Sequence, residues 1–390
     1  MDELAAVLRR WYAAGEPFGL ATVVAVRGSA PRRPGAVLAV GPGGEAAGSV
    51  SGGCVDSEVY ELARRAARGA PPVLAEYGVS DEDSFAAGLT CGGTLEVLVR
   101  RVVPGEEPGL AGVLGEGESA VVTWLGSTGA EADAGAGSRS SPALGASLVV
   151  RPGSYSGTYG APGAERAAVA AGREMLAHGR TGVRELALAE GTVRVFVRSF
   201  TARPRMLVYG AVDFAAALAR MGAFLGYRVT VCDARPVFAT RERFPAADEV
   251  VRQWPHEHLA AAAVDARTVV CVLTHEERFD VPLLRTALRL PVAYVGAMGS
   301  RRTHEERLLR LREAGLTERE LARLRSPIGL DLGGSTPEEA AVSIAAEIVA
   351  ARHGGTGLPL RTVYGPIHRS AGDEGLAGSV CGMHNEREML

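Results

Sequence analysis

The sequence predicts an α/β protein: an N-terminal α+β domain over residues 1–200, a C-terminal Rossmann-like parallel-sheet domain over 201–360, and an irregular tail over 361–390. Three observations carry that reading. From Met206 onward short apolar runs alternate with helical patterns, as in a parallel sheet with crossover helices. Before residue 200 the apolar runs are joined instead by glycine- and proline-rich turns. Within Met206-Leu207-Val208-Tyr209-Gly210-Ala211-Val212-Asp213-Phe214-Ala215, Gly210 and Ala215 take the outer positions of a dinucleotide-binding turn.

Leu4, Val7, Leu8 and Trp11 recur at helical spacing, so a helix is expected from Leu4 to Tyr12. Strands follow at Gly19–Val26 and Ala36–Val40. Pro31 and Pro34 shape the turn between them, and Arg27, Arg32 and Arg33 project from it, suited to forked contacts with phosphate or carboxylate. A helix is expected at Ser57–Ala63 and strands at Leu95–Val99, Ser119–Trp124 and Ser147–Val150. The low-complexity stretch 126–142 reads as a mobile loop. A helix over Glu165–Ala177 and strands at Val183–Leu188 and Val193–Phe200 complete the first domain, and Thr201–Arg205 reads as a linker. Beyond it, strands are expected at Met206–Tyr209, Tyr227–Cys232, Thr268–Leu273 and Val292–Val295, with helices at Phe214–Leu225, Arg302–Ala314 and Pro337–Arg352.

Two loops concentrate the chemistry. Gly48-Ser49-Val50-Ser51-Gly52-Gly53-Cys54-Val55-Asp56 sets two glycines before a cysteine at a helix start. Glycines bend the chain tightly, and the first amides of a helix lack internal partners. Such a bend can hold an anion, and the positive helix end favours a thiolate at Cys54. Thr90-Cys91-Gly92-Gly93-Thr94 repeats the cysteine–glycine pairing before a strand. Ser51, Gly52, Gly53, Cys54, Cys91, Gly92 and Gly93 are therefore candidate binding residues, together with Arg32 and Arg33.

The second domain offers a damaged nucleotide turn. Val212 stands where a glycine normally lets pyrophosphate approach, and Asp213 adds a negative charge. Asp233 ends the next strand, where an acid usually holds a ribose hydroxyl, and Arg235 follows. Gly299-Ser300-Arg301 opens a helix and is the better anion site there. NAD(P) binding at Gly210 and Asp233 is thus weakened. His256 and His258, two apart, are read as surface residues, and Cys232 and Cys271 as buried small hydrophobes.

Composition narrows the function. The formal net charge of −3 gives no footprint for nucleic acid, and no window has the ~18 apolar residues of a membrane span. The acidic start Met1-Asp2-Glu3-Leu4 does not resemble a secretory leader, so a cytoplasmic location is expected. All 42 basic residues are arginine. Without lysine, a Walker-type phosphate loop and a pyridoxal Schiff base are excluded. The five cysteines form neither a disulfide framework nor a zinc ribbon, and Cys381 with His384 makes too small a set for a metal site.

Several motifs together resemble the XdhC/CoxI family: Gly28-Ser29-Ala30-Pro31-Arg32-Arg33-Pro34-Gly35, Gly48 to Val55, Gly88-Leu89-Thr90-Cys91-Gly92-Gly93, Tyr294-Val295-Gly296-Ala297-Met298-Gly299-Ser300-Arg301-Arg302, Ser326-Pro327-Ile328-Gly329-Leu330-Asp331-Leu332-Gly333 and Thr336 to Ala345. The likeness spans residue 1 to about residue 360. It implies a maturation factor that binds molybdenum cofactor, as molybdopterin or its cytidine form. It also implies support of the cofactor's sulfuration by a cysteine desulfurase and delivery to the apoenzyme of a molybdenum hydroxylase such as xanthine dehydrogenase or carbon monoxide dehydrogenase. Cys54 and Cys91 would then lie at the cofactor, with Cys54 contacting molybdenum and the Gly52-Gly53 and Gly92-Gly93 amides beside it. Arg32 or Arg33, with Ser300-Arg301, would bind its phosphate. Many members carry an intact Gly-x-Gly turn where this chain has Val212. A cofactor chaperone is expected rather than a turnover enzyme, and self-association as a homodimer stays open. The alternatives are an NAD(P)-dependent oxidoreductase acting at a cleft between the two domains, and a redox sensor pairing Cys54 with Cys91.

Overall fold

Alternation along Phe18–Arg27 turns Ala21 and Val23 toward one face of a sheet and Leu20 and Val24 toward the other. Both faces are therefore covered. The computed structural model describes residues 2–28, 32–78, 93–107, 117–127, 142–189, 191–274, 276–364 and 367. Cys91, Gly92, His275, the loop expected at 126–142 apart from its first two residues and its last, and nearly all of the tail lie outside them. The chain divides into two compact units, the first holding Met1–Leu176 and Arg180–Phe200 and the second Ala177–Gly179 and Thr201–Gly365.

The first unit contains helix α1 (Asp2–Ala13), strands β1 (Phe18–Arg27), β2 (Val37–Val40) and β3 (Ala46–Gly48), helix α2 (Asp56–Ala67), and strands β4 (Val73–Tyr77) and β5 (Thr94–Val102). It continues with β6 (Ser119–Ser127), β7 (Ser147–Val150), β8 (Tyr155–Ser156), helix α3 (Pro162–Ala177), β9 (Gly182–Leu188) and β10 (Gly191–Phe200). These form two antiparallel sheets, ordered β3-β2-β1-β5-β4 and β8-β7-β6-β10-β9. Three strands, a helix and two strands thus occur twice with one topology. α2 buries Val59, Ala63 and Ala66 on the first sheet, and α3 buries Ala164, Ala168 and Met175 on the second. The sheets meet through Val24, Leu98, Leu125 and Phe196 and through the Arg194–Glu96 ion pair.

The repeat extends to individual residues. Thr22 opposes Val37 and Leu98 in the first sheet; Thr123 opposes Ser147 and Phe196 in the second. Each helix approaches its sheet closely enough to require a glycine, but the glycine sits on opposite partners. A Cβ on Gly19 of β1 would lie 1.9 Å from the Ala63 carbonyl oxygen, whereas in the second half the glycine is Gly172 of α3, where a Cβ would meet a Val122 methyl at 2.7 Å.

The second unit is a six-stranded parallel sheet ordered β13-β12-β11-β14-β15-β16. Its strands are β11 (Arg205–Tyr209), β12 (Arg228–Cys232), β13 (Glu249–Val251), β14 (Val269–Val272), β15 (Tyr294–Ala297) and β16 (Leu324–Arg325). Helices α4 (Asp213–Phe224) and α9 (Pro337–His353) cover one face. Helices α5 (Pro255–Ala261), α6 (Glu277–Ala287), α7 (Arg301–Glu313) and α8 (Glu318–Leu321) cover the other. This is the doubly wound order of a Rossmann-like domain, whose ligand edge is the carboxyl end of the strands. Cys232 and Cys271 are buried in cores on opposite faces, as expected. Among the described residues no helix is long and apolar enough to cross a membrane.

Candidate functional site

Strand register gathers the first unit's candidate loops at one end of the first sheet. β1 and β3 run toward that end and β2 and β5 run away from it. The turn carrying Arg32 and Arg33, the bend Ser49–Val55 and the residue Gly93 that enters β5 therefore all lie there. Arg32, Arg33, Gly52, Gly53 and Cys54 are exposed, while Ser51 and Gly93 are buried. Gly52 and Gly53 adopt φ of +73° and +126°, and a Cβ on either would meet nothing within 4 Å. The bend is shaped by glycine conformation and open on its outer side. It holds Cys54 just outside α2.

The bend's amides are not waiting for an outside anion. The Asp56 carboxylate accepts from the backbone N–H of Val50 at 2.8 Å, Ser51 at 3.3 Å and Gly53 at 2.6 Å, and from the hydroxyls of Ser49 and Ser51. Gly52 N–H donates to Ser49 Oγ at 2.8 Å. Partial burial pushes the Asp56 carboxyl up, but the bonds from Val50, Ser49, Gly53 and Ser51 outweigh it and hold it below its ordinary value. Asp56 and Glu58 both occupy the first turn of α2, so the helix start is already neutralised. The anion expected at this bend is one the chain supplies itself, the Asp56 carboxylate. What the bend presents outward is the Cys54 thiol and uncovered glycine.

Gly210, Asp233, Gly299, Ser300 and Arg301 belong to the second unit, each just after the carboxyl end of a strand of its sheet. Gly210, with φ of +111°, lets β11 turn beside β14, since a Cβ there would lie 2.9 Å from the Thr274 methyl. Asp233 is 2% exposed, and its oxygens accept from Ala211 N–H at 2.7 Å and from Arg235 N–H, Nε and Nη2 at 2.8, 3.0 and 2.8 Å. Burial opposes its ionisation, yet the Arg235 guanidinium and these amides keep its carboxyl below the usual range. Four donors fill its acceptor sites, leaving none for ribose hydroxyls in this arrangement. Asp213 pairs with Arg243 at 3.2 Å, and Arg235 and Arg243 both stack on Phe238. The geometry weighs against a conventional dinucleotide.

Behind Gly299, the buried Arg307 donates to Asp280 at 3.1 Å, the Met298 carbonyl at 2.9 Å and Ser326 Oγ at 3.0 Å, and Asp280 also accepts from Thr274. This charged network, unmarked in the sequence, fixes the loops on either side of the strand ends. Ser300 Oγ caps α7 by accepting from Thr303 N–H, and Arg301 is exposed. His258 departs from the surface reading: it is half-buried with Nδ1 3.0 Å from the hydroxyl of the wholly buried Tyr209, and burial pushes its pKa down. His256 Nδ1 is likewise buried. Desolvation, then the Asp233 charge, pushes Cys232 up to about 12, consistent with a packing role.

A cleft of about 200 Å³ beside Gly41, Pro42, Arg64, Arg68 and Arg101 and an open groove of about 490 Å³ beside Ala164, Arg166 and Leu188 are both lined without Cys54. The Cys54 bend is an open surface rather than an enclosed cavity. Among the described residues no three His, Cys, Asp or Glu side chains gather as metal ligands.

Residues 206–348 match the family described as the XdhC Rossmann domain, and residues 11–78 match the XdhC and CoxI family. The chain is 26% identical over 342 residues to a probable xanthine dehydrogenase subunit of Bacillus subtilis, covering 85% of this chain and 92% of that one. It is 30% identical over 148 residues to the molybdenum cofactor insertion chaperone PaoD of Escherichia coli, covering 38% of this chain and 40% of that one. In fold it is similar to the crystal structure of a xanthine dehydrogenase from Bacillus halodurans, with a TM-score of 0.59, 23% identity, and coverage of 89% of this chain and 95% of that one. The two family matches together take in more than half of the chain, one in each unit, and the chain belongs to the XdhC and CoxI family.

Proposed function

We propose that this protein is an accessory factor for a molybdenum hydroxylase of the xanthine dehydrogenase or carbon monoxide dehydrogenase type. It binds molybdenum cofactor as cargo, supports its sulfuration by a cysteine desulfurase, and hands it to the apoenzyme in the cytoplasm. The observation that carries the reading is Cys54, exposed on an open glycine bend at the sheet end where Arg32 and Arg33 also emerge. The names of the Bacillus subtilis and Escherichia coli relatives, one a probable xanthine dehydrogenase subunit and one a molybdenum cofactor insertion chaperone, point the same way.

The residues suit the task. A thiol is a soft ligand matched to molybdenum in a dithiolene, and a single exposed contact releases cargo more readily than a closed ligand set. Asp56 keeps the bend in shape without cargo, so no loop has to fold when the pterin arrives. Arginine forks serve phosphate better than point charges do, and every cation here is an arginine. In the second unit the filled Asp233 favours a structural or partner-facing role over hydride transfer.

The test is to purify the protein from cells making molybdenum cofactor and assay metal and pterin. The reading predicts both in comparable amounts per chain. A protein free of both, stabilised instead by NAD and reducing an aldehyde with it, would overturn the assignment.

A further inference from the structure

The internal repeat supplies a control for each side chain, and one pair of equivalent arginines is asymmetric. Leu98 of β5 and Phe196 of β10 hold matching positions, so Arg100 and Arg198, each two residues on, match as well. Each reaches across to the glycine of the other half's first hairpin. Arg100 Cδ would lie 3.2 Å from a Cβ on Gly145, and Arg198 Nε 3.9 Å from one on Gly35. The two hairpins are themselves equivalent: Gly35 N–H bonds the Val23 carbonyl and Ala36 N–H that of Arg33, while Gly145 N–H bonds Trp124 and Ala146 N–H bonds Ala143.

Arg100 is buried and answered by a carboxylate. Its Nη1 lies 2.6 Å from Glu107, whose second oxygen accepts from Ser147 Oγ at 3.0 Å. Arg198 is half-buried, stacks over the Phe200 ring at 4.9 Å, and has no acid opposite it among the described residues. Val37 stands where Ser147 stands in the other half. Desolvation alone pushes its guanidinium down to about 10. A guanidinium drawn from water without a counter-charge is costly, and the repeat shows which group fills this slot when the chain supplies one.

We propose that Arg198, with Arg32 and Arg33 of the adjoining turn, forms a binding site for a phosphate monoester, the ligand taking the place that Glu107 holds beside Arg100. Arg33 and Gly35 belong to a single turn, so Arg32 and Arg33 stand three and two residues along the chain from the glycine that Arg198 Nε approaches beside the Thr181 methyl. A phosphate dianion gives a fork of acceptor oxygens to Arg198 and leaves oxygens for the exposed pair. The site deepens the carrier reading, which it relies on only for the phosphate's bearer: a pterin phosphate if that reading holds, free phosphate or another monoester if it fails.

Calorimetric titration of the full chain with inorganic phosphate tests the site without any molybdenum. The parent is expected to bind, Arg198→Gln to bind on the order of tenfold to a hundredfold more weakly, and Arg32→Gln and Arg33→Gln each severalfold more weakly. Arg198→Lys, which keeps the charge and loses the fork, guards against misfolding of the glutamine variant. It is expected to show a smaller phosphate-induced rise in thermal midpoint than the parent. No binding by the parent, or unchanged binding in Arg198→Gln or Arg198→Lys, overturns the site. Phosphate binding lost in Arg198→Gln while co-purified pterin stays at parent levels refutes Arg198 as the pterin anchor. Phosphate binding intact in a protein that never carries pterin refutes the carrier reading and leaves the site standing.

Discussion

The two halves of the first unit solve one structural problem with different residues, and the contrast separates scaffold from site. In the first half Ser49, Val50 and Ser51 deliver a hydroxyl and two amides to Asp56, seven, six and five residues later. In the second half Thr158, Tyr159 and Gly160 deliver the same three groups to Glu165 at the same separations. A carboxylate clasping the strand-to-helix loop is therefore part of the fold. The difference lies between clasp and loop. Gly52-Gly53-Cys54 corresponds to Ala161-Pro162-Gly163, where proline starts α3 early and draws these positions toward the helix. Positive φ at Gly52 and Gly53 holds Cys54 out of α2. What both halves keep is structural; what the first half alone has is the functional candidate.

The largest effect should come from the close helix approach. Gly19→Ala presses a methyl onto a backbone carbonyl and is expected to cost about 3 kcal/mol in urea unfolding. Gly172→Ala meets side chains instead, a Val122 methyl at 2.7 Å and a Val150 methyl at 3.2 Å, and gains about 1 kcal/mol of helix propensity, so it should cost at most about 1–2 kcal/mol. Equal losses would break the distinction drawn between the halves.

Next come the matched arginines. Glu107→Gln strands Arg100 and should destabilise by about 2–3 kcal/mol, while Arg198→Met removes a desolvated cation with no acid opposite among the described residues and should cost nothing or add up to about 1 kcal/mol. Thermal unfolding without phosphate checks both. A marked loss in Arg198→Met would mean that the side chain is structural.

The clasps should show in acid. Asp56 has a folded pKa below its ordinary 3.8, so its contribution is complete above that value and lost as pH falls through the lower folded one. Asp56→Ala should cost about 1–2 kcal/mol at neutral pH and remove that acid dependence. Glu165→Ala should cost less, its carboxylate being more open to solvent. The smallest change is expected for Cys54→Ala, within about 0.5 kcal/mol of the parent, because the side chain is exposed and outside the helix.

The parallel sheet was legible because four of its strands are rich in apolar residues and alternate with helical patterns; the three-residue β13 and two-residue β16 are too short to carry such a signal. The first unit's longer strands were legible too, but its duplication was not. The halves share backbone bonds and burial rather than residues: Val50 corresponds to Tyr159, Asp56 to Glu165, and the close-approach glycine changes partners. A spacing was available, since Gly48-Ser49 and Gly157-Thr158 each precede an acid seven residues after the hydroxyl. The bend's glycines and Cys54 stood out because that composition is unusual beside a helix. Asp56 as an internal anion and Arg198 as a desolvated cation depend on how segments pack, which no local pattern records.

Molybdenum and pterin content per chain, measured for the parent and for Cys54→Ala purified side by side from cells making molybdenum cofactor, tests the central claim most directly. The account predicts that the variant folds as the parent does and emerges with cargo largely lost. A Cys54→Ala protein loaded to the parent's level would contradict it.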